Sequence, residues 1–323
     1  MMDVSLQEPI MRLLPYAVLL AALARPAQAA NELPIALDTA SGRIAGSLLL
    51  PEPSGKAPVA LIIAGSGPTN RDGDNPGLPY GSGGYLKQLA QALADAGIAS
   101  VRYDKRAIGE SRAAGLDEAA LHFDDYVDDA AGWIAKLKTD PRFSKVAVIG
   151  HSEGSLIGML AAQKQNAAAF VSLDGPARNA ADFLRAQLAP RLPEDLAKQS
   201  ERILQALRQG READNVPGPL LVVYRPSIQP YLISWFRYTP TEAIRALKAP
   251  TLIVQGGADH QVPKAEGETL HAAKPDSLLQ NIPGMNHLLR DDDPQHQASY
   301  GATPQPLSPT LAPSVIRFLK QAL

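Results

Sequence analysis

Two hydrophobic periods alternate along the chain. Residues 33–52, LPIALDTASGRIAGSLLLPE, place apolar and polar side chains in turn on either side of Ala40-Ser41-Gly42, the pattern of an antiparallel hairpin. Short apolar runs and longer 3.6-period stretches then follow one another. PVALIIAGSG (58–67), IASVRYDKR (98–106) and KVAVIG (145–150) read as strands, and GYLKQLAQALADAG (84–97), FDDYVDDAAGWIAKLKTD (123–140) and SEGSLIGMLAAQKQ (152–165) as helices. Leu86, Leu89 and Leu93 share one helical face, with Gly97 as a stop; Val127, Ala130, Ile134 and Leu137 share another. Asp124 and Asp125 open that second helix and Lys136 and Lys138 close it, matching the helix dipole. Strands alternating with helices predict an α/β fold with a mostly parallel central sheet covered by helices on both faces.

AAFVSLDGP (168–176) and APTLIVQGG (249–257) continue the strands, but about seventy residues separate them. The insert has leucines four apart at Leu184, Leu188, Leu192 and Leu196, prolines at 190 and 193, and aromatic residues Tyr231, Trp235, Phe236 and Tyr238. This predicts a mostly helical cap, broken by the two prolines, inserted between the strand ending near Asp174 and the one beginning near Pro250. The alternative is a pair of crossover helices with extra surface loop. A last strand near LLQNI (278–282), a loop carrying His287 and an amphipathic helix around SVIRFLKQAL close the chain. The division is then core over 30–175, cap over 176–245 and core again over 246–323.

Composition narrows the classes. A net charge of -2 without a long basic run gives no field for nucleic acid. Cysteine is absent, which removes disulfides, thiolate nucleophiles and cysteine metal sites. At the N-terminus, Met11-Arg12 precedes the apolar run LLPYAVLLAALA and the small-x-small site Ala27-Gln28-Ala29. Residues 1–29 therefore read as a signal peptide cleaved near Ala29 or Ala30, giving an exported, periplasmic or secreted protein with no stable membrane span. Asp3 and Glu8 offset the basic n-region; a start at Met11 restores it. A leading helix packed on a cytosolic body is the alternative.

The strand KVAVIG runs into Gly150-His151-Ser152-Glu153-Gly154 and then a helix. A turn this sharp needs small residues two before and two after the serine, so that Ser152 stands exposed at the strand's end. A serine hydroxyl needs a base, and the base needs an orienting group. Of the six histidines, His296 lies in an acidic surface run. His151 is locked in the turn, and His122 precedes a helix on another connection. His287 follows the last strand, at the sheet edge where sites of such folds lie. Asp259 follows the strand TLIVQGG at the same edge, and Asp174 is the second candidate acid. The order Ser152, Asp259, His287 suits this fold type. Oxyanion stabilisation needs two N–H donors: one from Glu153, the other from the loop after VALIIA, from Ser66 first and Gly65 second. No GK[ST] follows that glycine-rich loop and no HExxH occurs, so no nucleotide, metal or cofactor is expected. Asp291, Asp292 and Asp293 read as a solvated loop.

The stretches GSGPTNRDG (65–73), YDKRAIGES (103–111), GHSEG (150–154), GGADHQVP (256–263) and MNHLL (285–289) resemble the α/β-hydrolase superfamily, in particular bacterial exported serine esterases of the serine-aminopeptidase-like and dienelactone-hydrolase-like groups. The resemblance implies a serine hydrolase acting on small-molecule carboxylic esters, with Ser152 as nucleophile, Asp259 as acid and His287 as base. It also implies that Asp104 and Arg106 brace a supporting loop. Ala107 stands where the pattern usually has glycine. The cap aromatics Tyr231, Trp235, Phe236 and Tyr238 either line an acyl pocket or close the cap's own core. The rivals are a peptidase, with Glu153 or a cap arginine anchoring a peptide terminus, an acyltransferase, and a ligand-binding homologue without turnover.

Overall fold

The computed structural model describes residues 31–52, 56–77, 83–115, 117–292 and 305–323. The expected signal peptide, Asp293 and His296 lie outside the described residues. The hairpin is β1 (Asn31–Thr39) and β2 (Gly42–Leu50). The chain then alternates: β3 (Ala57–Ile63), α1 (Tyr85–Asp95), β4 (Ala99–Tyr103), α2 (Phe123–Thr139), β5 (Phe143–His151), α3 (Glu153–Gln165) and β6 (Ala169–Leu173). After an insert come β7 (Thr251–Gly256), a helix, β8 (Leu278–Ile282) and a closing helix. The eight strands form one sheet in the order β1-β2-β4-β3-β5-β6-β7-β8. β2 is antiparallel to both β1 and β4, and the strands from β4 to β8 run parallel.

The period of two assigns the two faces. Val59, Leu61 and Ile63 of β3, with Val146 and Val148 of β5, belong to one core, which includes α2 and α3. Ala60, Ile62, Ala147 and Ile149 face the other way, into a second core with α1 and the closing helix. The central strands are buried on both faces, which explains their continuous apolar sequence. Each such Ile, Val or Leu contributes about 1.5–3 kcal/mol relative to exposure.

The insert contains α4 (Ala180–Leu188), α5 (Glu194–Arg208), α6 (Leu221–Tyr224), α7 (Gln229–Trp235) and α8 (Pro240–Ala246). After β7 comes α9 (Lys264–Ala273), and α10 (Leu311–Ala322) closes the chain. The leucine series does not form one stripe: Leu184 and Leu188 lie on α4, Leu192 sits in the connection and Leu196 on α5. The break falls at the two prolines, as expected: Pro190 lies just past the end of α4 and Pro193 at the N-cap of α5, and a proline cannot continue a preceding helix. No helix among the described residues is long and apolar enough to cross a membrane.

β5 and α3 meet with no room for side chains. A Cβ on Gly150 would lie 2.2 Å from the Gly154 carbonyl oxygen, and one on Gly154 would lie 2.4 Å from that of Ile63. Both obstacles are backbone. We predict that Gly150→Ala costs about 3 kcal/mol or more, read as a lower urea midpoint. Gly218→Ala, where nothing lies within 4 Å of a new Cβ, should be nearly neutral. Equal midpoints for the two variants would sink this account of the turn.

Candidate active site

Ser152 occupies the turn between β5 and α3 with φ 54 and ψ -122, a conformation that costs a non-glycine residue about 1–3 kcal/mol. Its N–H donates to the Leu173 carbonyl at 2.9 Å, and its carbonyl accepts from Ser155 N–H at 3.0 Å. These bonds hold the strained residue at the carboxyl end of β5. The loop after β3 closes on it, since a Cβ on Gly65 would lie 3.1 Å from Ser152 Cβ.

The structure brings His287 and Asp259 together. His287 Nδ1 lies 2.6 Å from Asp259 Oδ2, and both residues are buried. Asp259 Oδ1 accepts from the N–H groups of Gln261 (2.7 Å) and Val262 (2.8 Å). A carboxylate accepts, so His287 Nδ1 donates, and the neutral ring keeps Nε2 free to take a proton. Burial alone would lower the His287 pKa, but the hydrogen bond and charge of Asp259, helped by Asp174, outweigh it and raise the value.

His151 packs with its ring centroid 4.8 Å from that of His287. Its Nε2 lies 2.9 Å from the His287 carbonyl oxygen, which fixes Nε2 as the donor and leaves Nδ1 to face the Tyr85 hydroxyl at 3.3 Å. Burial, then the nearby His287 charge, pushes its pKa well down, so His151 is a neutral support. Asp174 ends β6 with φ 47 and is fully buried. Its Oδ1 accepts from Gly256 N–H at 2.7 Å, while Oδ2 has no partner. Burial first, and Asp259 second, pushes its pKa up to about 8. His151, Asp174 and His287 offer ligand atoms within 4.8 Å of one another. However, both His151 nitrogens and His287 Nδ1 already engage other partners. Of the two candidate acids, Asp259 makes the contact with His287.

Sequence reasoning overlooked Lys105. It is 2% exposed, its partner Glu153 is 3% exposed, and their ion pair measures 2.7 Å. Lys105 Nζ also donates to the Gly65 carbonyl at 2.6 Å, and the Tyr231 hydroxyl donates to Glu153 Oε1. The available signal was a lysine at the end of a buried strand, in YDKR, because a buried lysine needs a partner. Its neighbours do brace the loops. Asp104 accepts from Arg71 N at 2.7 Å and from Glu110 N at 3.0 Å, and Arg106 pairs with Asp129 at 2.6 Å. Ala107 takes the left-handed conformation, φ 66, so this position adopts a glycine-like backbone without a glycine.

Two clefts open at this edge. One of about 50 Å³ is lined by Ser152, Ser66, Glu153 and Leu156, with Phe183 and Trp235 from the insert. A wider one of about 610 Å³ runs along Ser66, Lys105, Glu153, Tyr231 and Trp235. Tyr231 and Trp235 thus line a cleft. Phe236 and Tyr238 line neither: Phe236 is buried, and the Tyr238 hydroxyl donates to Asp124. Asp291 and Asp292 sit beside the His287 loop, Asp292 accepting from Asn286 Nδ2 at 2.9 Å.

Asp174 gives a pH test. Its folded-state pKa lies above the unfolded value near 3.8, so its contribution to stability is full below about pH 4 and is lost as pH rises through about 8. Asp174→Asn removes that titration. Its melting temperature should fall less than that of the parent between pH 5 and 8.5. Identical slopes would contradict a protonated, buried Asp174.

A family profile described as serine aminopeptidase, S33, matches residues 76–222. The esterase EstD of Thermotoga maritima is 27% identical over 224 residues, 69% of this chain and 52% of that protein. The match therefore spans about half the length of that curated relative. Est1E from Butyrivibrio proteoclasticus superposes with a TM-score of 0.58 at 16% identity, over 90% of this chain and 98% of that one. A dienelactone hydrolase from Anabaena variabilis does so with a TM-score of 0.55 at 19% identity, over 91% and 99%. With the sheet order and the turn at Ser152, these likenesses agree with the expected architecture: the chain has the α/β-hydrolase fold.

Proposed function

We propose that the protein is a carboxylic ester hydrolase working through an acyl-enzyme on Ser152. The observation that carries this reading is the 2.6 Å contact of His287 Nδ1 with Asp259, taken together with a strained serine at the head of α3. Ser152 Oγ attacks the ester carbonyl carbon while His287 Nε2 takes the hydroxyl proton. The oxygen of the tetrahedral intermediate receives the N–H groups of Glu153 and Ser66, with Gly65 on the same loop. Collapse expels the alcohol, which leaves with the proton from His287. Water, deprotonated by the same nitrogen, then attacks the acyl group and releases the acid. The likeness to EstD, a named esterase, supports the substrate class.

A peptidase anchored through Glu153 fits less well. Both carboxylate oxygens of Glu153 are already engaged, by Lys105 and Tyr231, and neither is left for a peptide amine. The lining of the smaller cleft by Leu156, Phe183, Trp235 and Val262 suits an apolar acyl or alcohol group.

Ser152→Ala and His287→Ala should each lower kcat on nitrophenyl esters by several powers of ten, on the scale of the roughly million-fold losses known for such groups. Their melting temperatures should change little. A fluorophosphonate probe should label the Ser152 peptide, and retained turnover in Ser152→Ala would refute the assignment. For acidity, His287 must be neutral to act, so kcat/KM should fall as pH drops through its raised pKa, above the ordinary value of about 6.5. Asp259→Asn removes what raises it and should move that limb to lower pH; a limb that stays in place contradicts the pair. We also propose export, on the N-terminal pattern. Mass spectrometry of the secreted protein should find a terminus near Asn31, and an intact Met1 or Met11 terminus argues against it.

A further inference from the structure

Lys105 fastens Gly65 and Glu153 to one another through a single ammonium. Its Nζ donates at once to the Gly65 carbonyl (2.6 Å) and to Glu153 Oε2 (2.7 Å). Gly65 belongs to the loop after β3, Glu153 heads α3, and Lys105 follows β4, so one ammonium joins three strand ends. The ring of Tyr126 lies 5.0 Å from that ammonium, and the Tyr231 hydroxyl closes the other side of Glu153. Tyr231 itself comes from α7 of the insert, so the network also ties the insert to the head of α3.

We infer that Lys105 is the positioning residue of the oxyanion hole, and that it acts through the Gly65–Ser66 peptide and through Glu153. A peptide unit is planar and trans, so its carbonyl and its N–H point in opposite directions. Fastening the Gly65 carbonyl to Lys105 therefore turns the Ser66 N–H the other way, toward the cleft that Ser66 shares with Ser152. A cation on that carbonyl also polarises the peptide and strengthens the Ser66 N–H as a donor. The ion pair with Glu153 fixes the residue whose own N–H is the second donor. Two donors from separate loops must meet one oxygen within a few tenths of an ångström, and a single buried cation sets their separation. A buried ion pair adds little to stability over an apolar pair of similar volume, so its presence here is better explained by geometry.

This inference rests on the serine esterase reading above, and the test separates the two. Lys105→Met/Glu153→Gln removes both charges, so that neither is left buried alone. In the folded variant kcat for a nitrophenyl ester should fall roughly 10- to 100-fold, a part of the loss known for deleting an oxyanion donor, with KM within about threefold. A boronic acid that forms a tetrahedral adduct on Ser152 should lose affinity by the same factor, while the acid limb of kcat/KM stays in place. Loss of fold strength alone would move neither the boronate affinity nor the split between kcat and KM. If the double variant does not fold, Lys105→Arg carries the test. Its planar guanidinium keeps the charge but changes the contact, and kcat should fall about tenfold at unchanged KM. Wild-type kcat and boronate affinity in a folded variant overturn the role of Lys105 while leaving the Ser152 reading intact. Activity that survives in Ser152→Ala overturns the esterase reading and this inference with it.

Discussion

The close approach of β3, β5 and α3 is the constraint on which the rest of the site depends. With 2.2 Å and 2.4 Å between the Cβ positions of Gly150 and Gly154 and neighbouring carbonyl oxygens, only two glycines let the strand turn into the helix at that point. The turn forces Ser152 into a positive-φ conformation, and the strain is held by hydrogen bonds to β6 and within α3. The same approach brings the loop after β3 against Ser152. A site that spans four strand ends is thus set by one backbone contact. The helices on either face keep the sheet rigid enough to hold it.

Charges buried beneath the site repeat this logic. Asp104, Lys105 and Arg106 are consecutive, yet each fastens a different segment. Asp104 holds the loop at Arg71, Lys105 holds Gly65 and Glu153, and Arg106 holds α2 through Asp129. β4 ends at Tyr103 and the chain turns at once, so the three side chains are spread over three segments around the end of the strand. Pairing each charge avoids the several kcal/mol that an isolated buried ion would cost. The result is a set of loops whose backbone groups are fixed before any substrate arrives, which is the condition for electrostatic stabilisation without reorganisation.

Much of this was legible in the sequence, because it is written in local periods. The alternation in 33–52, the helical faces of Leu86 and Val127, and the small residues around Ser152 each depend on neighbours a few positions away. The positions of Asp259 and His287 followed from counting strand ends, and the structure brings them into contact. Lys105 was legible only as a lysine closing a buried strand, and its partners were not, since they lie 40 and 48 residues away. In the insert, the prolines at 190 and 193 marked where the helical pattern breaks, between α4 and α5. Ala107 shows a second limit, because its backbone takes a conformation that its own side chain disfavours.

Two carboxylates beside one imidazole pose an electrostatic problem, and the surroundings solve it by treating them differently. Asp259 receives three N–H donors, from Gln261, Val262 and the His287 ring. Asp174 receives one, from Gly256, and its other oxygen has none. With burial and the Asp259 charge pushing its pKa to about 8, Asp174 gives up its proton only above neutral pH, and its charge then adds to that of Asp259 in raising the His287 pKa against the burial that would lower it. A neutral His151 behind the ring adds no opposing cation.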